Sequence, residues 1–144
     1  MRRLLFIALI ACLVAPARPT SRAVVLVVRA DSSVTALDSV TLRKLFLGWP
    51  VLVNGSPQHP LRNRSDPLLD EIFLQQIVGM SQSSYDRQIL NGFNRQRSFR
   101  PAEFSTVAGL MEALEADPNA VSFMWRRDVG HNVRIRIIGV LWSD

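Results

Sequence analysis

The residues of this chain best suited to bind a ligand are Arg62, Arg64 and Ser65, which directly precede a predicted helix. Two guanidinium groups and a hydroxyl can donate hydrogen bonds to an oxyanion, and the unpaired N–H groups at a helix start add partial positive charge. This pattern predicts a binding site for a small oxyanion. The alternative is a helix cap surrounded by solvated arginines, and the residues leave both interpretations open.

A second group of arginines lies in the predicted polar loop 94–101. Arg95, Arg97 and Arg100 would add positive charge to the predicted site if the fold brings this loop beside it.

Other chemistry finds little support in the sequence. His59 and His131 are 72 positions apart, with no acidic residue at ligand spacing from either, so no metal site is predicted. The chain contains no Gly-x-Ser-x-Gly, His-Glu-x-x-His, P-loop or dinucleotide-binding motif. We therefore expect a non-enzymatic protein without a cofactor.

The N-terminus predicts export. Met1-Arg2-Arg3 is followed by the apolar run Leu4–Val14 and then by the small-residue pattern Ala15-Pro16-Ala17, which is typical of a signal peptide at residues 1–17. The apolar run is shorter than the roughly 20 residues that a membrane-spanning helix needs. A soluble, exported mature chain is expected.

Cys12 allows a second kind of processing. It follows Leu9-Ile10-Ala11, which resembles the site at which lipoprotein signal peptides are cut and acylated. Otherwise Cys12 leaves with the signal peptide, and the mature chain has no cysteine, which excludes disulfides and thiolate metal sites.

The charge of the mature chain does not indicate nucleic-acid binding. Residues 18–144 carry 15 basic and 12 acidic side chains, a net charge near +3. The arginines are scattered instead of forming a basic stripe interleaved with aromatic residues.

The predicted elements form one α/β domain over residues 23–142. Ala23–Val28 is a continuous apolar run, typical of a strand buried on both faces of a parallel or mixed sheet. Further strands are predicted at Ala120–Met124 and Val133–Val140, with a short one at Val51–Val53 before an Asn54-Gly55 turn. The rest of 50–60 is predicted to be irregular loop.

Helix signals lie between these strands. Each predicted helix begins at a capping side chain or ends at a glycine. The predicted boundaries are Asp38 or Ser39 to Gly48, Ser65 or Asp66 with Pro67 to Gly79, a helix from Ser81, and a helix from Ser105 to Asp117. The fold class is α/β, with a mixed sheet flanked by helices.

The order of several short motifs resembles the phosphate-type substrate-binding proteins of bacterial ABC transporters. Ser39–Gly48 is similar to an "IFxG" helix of that family, and Trp49 with Gly55 is similar to the "W-x-dG" that follows it. Residues 77–81 are similar to the "vlgmS" joint of its short members, and residues 117–123 to its "xPgAIGYv" segment.

The resemblance implies a single lobe of a type 2 periplasmic binding protein fold, located in the periplasm. It implies non-covalent binding of a phosphate-like anion, and membrane transporter or sensor proteins as partners. The family motif Arg-x-x-Ser-Gly-Thr reads Arg62-Asn63-Arg64-Ser65-Asp66-Pro67 here, so a carboxylate replaces a glycine and an N–H is missing. The alternative function is therefore a ligand-free interaction module that docks on a membrane sensor, receptor, transporter or second copy.

Overall fold

The computed structural model describes residues 22–94 and 99–144. The predictions about the signal peptide at 1–17, Cys12, Arg95 and Arg97 lie outside these residues. None of the helices in the described ranges is both long and apolar enough to cross a membrane.

The described ranges contain seven strands and five α-helices. The strands are β1 (Ala23–Arg29), β2 (Leu52–Val53), β3 (Ser56–Pro57), β4 (His59–Asn63), β5 (Ala102–Phe104), β6 (Ala120–Trp125) and β7 (Ile135–Ser143). The helices are α1 (Ser39–Phe46), α2 (Pro67–Ile72), α3 (Gln82–Asn94), α4 (Val107–Ala116) and α5 (Arg126–Val129), and a π-helical segment (Phe73–Val78) continues α2.

Five strands form one mixed sheet in the order β5-β4-β6-β1-β7. β1 runs antiparallel to β6 and β7, whereas β4 runs parallel to β5 and β6. The predicted fold class, α/β with a mixed sheet flanked by helices, is confirmed. β2 and β3 form a separate hairpin around the predicted turn at Asn54-Gly55.

The sheet divides two hydrophobic cores, and β1 contributes to both. Successive side chains of a strand point to opposite faces. Val24, Leu26 and Val28 therefore pack with α1, α2, the π-helical segment and α3, whereas Val25 and Val27 pack with α4 and α5. This explains why β1 has no polar face in its sequence.

Three of the predicted helix boundaries are confirmed by their hydrogen bonds. Asp38 caps α1 by accepting from the N–H of Thr41, and Asp66 caps α2 by accepting from the N–H of Leu68. Gly79 ends the π-helical segment in the left-handed conformation. The predicted cap at Ser105 is wrong, because the neighbouring Thr106 accepts from the N–H of Gly109.

Two strands of the five-stranded sheet, β4 and β5, were not predicted from the sequence. β4 contains Pro60 and ends in the polar residues Arg62 and Asn63, so its sequence lacks a strand pattern. It is held by parallel pairing with β5 on one side and β6 on the other. β7 also begins two residues later than predicted, because Asn132 accepts from the N–H of Arg134 in the preceding turn.

Candidate functional site

Arg62 is a buried residue in the centre of the predicted oxyanion site. Its side chain is 0% exposed, although arginine is rarely buried unless it is paired. The guanidinium carbon lies 4.3 Å from the ring centroid of Phe73 and 5.0 Å from that of Tyr85. Two aromatic faces thus enclose the cation and attract it through their quadrupoles.

The hydrogen-bond donors of Arg62 point to side chains of the same chain. One terminal nitrogen donates to Asp70 Oδ1 at 2.8 Å and to Gln82 Oε1 at 2.7 Å. The other donates to Glu103 Oε1 at 3.3 Å. The Nε is buried and has no hydrogen-bond partner among the described residues. The terminal nitrogens that would bind an anion are therefore already bound to carboxylates.

Arg64 contacts the same two carboxylates from the solvent side. It donates to Glu103 Oε2 at 3.2 Å and to Asp70 Oδ2 at 3.3 Å, and its side chain is 42% exposed. The hydrogen bond to Glu103 raises the pKa of Arg64 above its usual value. Each carboxylate thus bridges the two arginines through its two oxygens.

Arg100 extends this network. It pairs with Asp86 at 3.2 Å and approaches Glu103 at 3.7 Å. We use the name arginine–carboxylate cluster for these six charged residues: Arg62, Arg64, Arg100, Asp70, Asp86 and Glu103. Three cations face three anions, so the cluster has no formal net charge to attract a further anion.

The N-terminus of α2 is also occupied by side chains of the protein itself. Asp66 accepts from the N–H of Leu68 through one oxygen and from the indole N–H of Trp125 through the other, at 2.8 and 3.2 Å. The hydroxyl of Ser65 donates to Asn63 Oδ1 at 2.6 Å. An anion placed here would meet the Asp66 carboxylate at short range, which opposes binding.

The structure therefore brings Arg62, Arg64 and Ser65 together at the start of α2, as the sequence predicted. It also surrounds them with Asp66, Asp70 and Glu103. Anion binding by Arg62, Arg64 and Ser65 stays a prediction, because an incoming anion would have to displace these carboxylates.

The sequence analysis did not identify Asp70 and Glu103 as the partners of the arginines. Asp70 lies in the first turn of α2, where the helix dipole stabilises an acidic side chain. Its position in the sequence could therefore have indicated a carboxylate close to Arg62 and Arg64. Glu103 lies opposite Arg62 in the parallel pair of β4 and β5. No sequence signal connects these two residues, because they are 41 positions apart and neither strand was predicted.

Tyr85 forms one wall of the Arg62 site and is itself buried. Its hydroxyl donates to the carbonyl of Phe46 at 2.8 Å, which ties α3 to the end of α1. Burial raises the pKa of Tyr85 to about 12, because the phenolate would lose its hydration.

A second surface with unusual exposure follows α1. Trp49 is 46% exposed and Phe99 is 42% exposed, and the N–H of Phe99 donates to the carbonyl of Gly48 at 3.1 Å. Gly48 has φ +81°, and a Cβ there would lie 2.1 Å from the carbonyl oxygen of Phe99. Only glycine fits this position, so the backbone of Phe99 packs directly against that of Gly48, the residue before Trp49.

The described part of the chain contains no group of three or more His, Cys, Asp or Glu residues arranged to hold a metal ion. His59 lies far from His131 in sequence and instead binds Asp117, with 2.6 Å between Nδ1 and Oδ2.

No protein-family model matches the sequence, and no curated protein matches it either. Solved structures with a similar fold include phosphate-binding components of ABC transporters. An ABC-type phosphate transport receptor from Vibrio cholerae is similar over 82% of this chain and 46% of its own, with a TM-score of 0.61 and 13% identity.

Two further solved structures agree with it. A phosphate ABC transporter substrate-binding protein with bound phosphate from Clostridium perfringens has a TM-score of 0.60 and 11% identity over 82% of this chain and 44% of its own. PstS from Borrelia burgdorferi has a TM-score of 0.56 and 9% identity over 83% and 47%. The chain thus has the fold of one lobe and spans less than half the length of each of these proteins.

Proposed function

We propose that this protein is a non-enzymatic, exported lobe of the solute-binding fold that acts by docking on a membrane protein, and that it does not capture a free oxyanion. The single observation that carries the proposal is the burial of Arg62. Its terminal nitrogens bind Asp70, Gln82 and Glu103 within the chain.

The energetic argument concerns what an anion would have to replace. Hydrogen bonds to charged groups contribute about 1.5–3 kcal/mol each, and a buried donor that loses its partner costs the full desolvation of that group. Phosphate binding at Arg62 would break such bonds and place its charge near Asp66, Asp70 and Glu103. The internal carboxylates therefore compete successfully with an anion from solvent.

The docking surface that we assign to this function is the aromatic pair Trp49 and Phe99. Exposed aromatic residues are enriched at the centres of protein interfaces, because they bury large apolar areas at low entropic cost. Lys44, whose carbonyl accepts from the N–H of Trp49, is an exposed basic residue in the last turn of α1. A sensor, receptor or transporter with an apolar, acidic surface fits these residues.

A second candidate function is weak binding of a phosphate-like anion at Arg64 and Ser65, for delivery to a transporter. The observation that favours it is the 42% exposure of Arg64, together with the likeness to a solved structure that contains phosphate.

Calorimetric titration with phosphate, sulfate and molybdate separates the two functions. For the docking module we expect no saturable heat up to millimolar anion, and no change in Arg64→Ala. The double variant Asp66→Gly with Pro67→Thr restores the Gly-Thr of the family motif and is expected to gain measurable phosphate binding. Saturable binding to the natural protein that is lost in Arg64→Ala would establish the second function instead.

Docking is tested with the membrane proteins encoded beside this gene. We expect Trp49→Glu to weaken binding at least tenfold, which corresponds to about 1.4 kcal/mol. Val133→Glu is the matched control, because Val133 is 88% exposed and lies away from the aromatic pair in sequence. Equal affinities of the two variants would contradict the assigned surface, and the absence of any binding would contradict docking.

A further inference from the structure

The turn Asn54-Gly55 is exposed at the tip of the β2–β3 hairpin. Asn54 has φ +50° and Gly55 has φ +80°. Positive φ values at both residues of a two-residue loop are typical of a type I′ turn, for which Asn-Gly is a preferred sequence. An asparagine before glycine is also the one most easily attacked by the following backbone nitrogen, because glycine has no side chain that shields it.

This attack leads to deamidation through a succinimide. The backbone nitrogen of Gly55 bonds to the side-chain carbon Cγ of Asn54, and the bond from Cγ to the amide nitrogen breaks. The nitrogen of Gly55 loses its proton, and ammonia leaves. Water then opens the ring at either of its carbonyl groups, which gives aspartate or isoaspartate. Water is the only co-reactant, and no oxidant or reductant is needed.

The surroundings of the turn leave the reacting groups accessible. Both Asn54 and Gly55 are exposed, and a Cβ placed on Gly55 would meet nothing within 4 Å. Within residues 22–94 and 99–144, the N–H of Gly55 donates to no backbone carbonyl. The attacking nitrogen is therefore not held by a backbone hydrogen bond.

The tip of the hairpin is also weakly held. Its base is anchored, because Val51 and Gln58 are buried and the N–H of Gln58 donates to the carbonyl of Val51 at 2.9 Å. Beyond this base, β2 and β3 contribute two residue pairs, and Leu52 is 65% exposed. Short two-stranded hairpins are marginally stable, and segments with few buried contacts open locally at low cost. The backbone rotation that brings the nitrogen to Cγ is therefore accessible.

A second Asn-Gly dipeptide, Asn91-Gly92, allows a comparison within the same chain. Asn91 is also exposed, but the dipeptide lies inside α3. In an α-helix each N–H is bound to the carbonyl four residues earlier, so the nitrogen of Gly92 is engaged. Tyr85 and Ile89 anchor α3 in the core, at 1% and 3% exposure. Attack at Asn91 thus requires opening of a packed helix.

We propose that Asn54 is a site of spontaneous deamidation, whereas Asn91 is protected by α3. The site goes beyond the proposed docking function and does not depend on it. Both products add one negative charge beside the exposed Leu52. Isoaspartate also carries the backbone through the side-chain carbon, so the turn gains a methylene group and no longer matches a two-residue turn. Val53, which packs against the core, is then released from its register.

Peptide mapping of the full-length protein tests the proposal. The protein is incubated at mildly alkaline pH, and its tryptic peptides are analysed by mass spectrometry. The peptide of residues 45–62 contains Asn54 as its one asparagine, and the peptide of residues 88–95 contains Asn91. We expect conversion at Asn54 to be at least about tenfold faster, which corresponds to about 1.4 kcal/mol between opening of the hairpin tip and of the helix. Equal or slower conversion at Asn54, or none, would overturn the proposal.

The same measurement in concentrated guanidinium chloride is the matched control. Unfolding exposes both Asn-Gly dipeptides, so we expect their conversion rates to become similar. A preference for Asn54 that persists unchanged in the unfolded chain would arise from the flanking residues instead of the fold. That result would contradict the proposal.

The second experiment separates the added charge from the lengthened backbone. Asn54→Asp adds the charge without the methylene group, and Asp-Gly also suits a type I′ turn. We expect limited proteolysis to cleave the hairpin several-fold faster in protein that contains isoaspartate than in freshly purified Asn54→Asp. Equal cleavage of the two would contradict the proposed effect of the longer turn.

Discussion

The arginine–carboxylate cluster and the β7 edge differ in how far their hydrogen-bonding groups are satisfied within the chain. The cluster holds six charged side chains, and these bind one another. The β7 edge has few charges, but one side of its backbone has no strand partner among residues 22–94 and 99–144. Arginines that stand out in a sequence therefore do not by themselves indicate a ligand, because the fold can supply their partners.

The largest expected effect is in the cluster. Arg62→Leu should lower the free energy of unfolding by about 3 kcal/mol, because it leaves Asp70 and Glu103 without their buried cation. This value is at the low end of the range for breaking a buried ion pair, because both carboxylates remain partly exposed to water. Urea denaturation measures the effect. A loss below about 1 kcal/mol would show that the cluster is not a structural unit.

Tyr85→Phe should lower the free energy of unfolding by about 1 kcal/mol, through loss of the hydrogen bond to Phe46. The folded pKa of Tyr85, about 12, is above the unfolded value of about 10. Its contribution to stability is therefore complete below pH 10 and is lost as the pH rises toward 12. The natural protein should lose stability more steeply than Tyr85→Phe over this range in alkaline denaturation.

Arg64→Ala compares an exposed arginine with the buried one. Because Arg64 is 42% exposed and its ion pairs are screened by water, we expect a loss below about 1 kcal/mol in the same urea measurement. A loss as large as that in Arg62→Leu would mean that burial does not distinguish the two arginines.

Gly139→Ala gives the smallest expected change in the stability of the single chain. The added methyl group meets no atom, and alanine reduces the entropy of the unfolded chain, so unfolding at low concentration should change by less than about 1 kcal/mol. Urea denaturation measures the change, and a loss above about 2 kcal/mol would contradict the open space around this position.

The sequence was sufficient to predict the elements with strong local signals. The apolar run of β1 predicts a buried strand. Asp66 and Pro67 predict the start of α2, and Gly79 predicts the end of the π-helical segment that continues it. The mixed α/β class follows from the order of such elements.

The elements that were missed depend on distant pairing. β4 and β5 form because Leu61 to Asn63 pair with Ala102 to Phe104, and this pairing also brings Glu103 to Arg62. The predicted site residues were thus found together, but the carboxylates that neutralise them were not. A pattern in one segment cannot reveal a partner that another strand supplies.

The position of β1 between the two cores affects how the protein unfolds. Five of its side chains, from Val24 to Val28, alternate between the two cores, and its backbone pairs with β6 on one side and β7 on the other. Neither core can open locally without disturbing this shared strand. Its amide protons should therefore exchange with solvent deuterium only through global unfolding, and both halves of the molecule should melt in one cooperative transition.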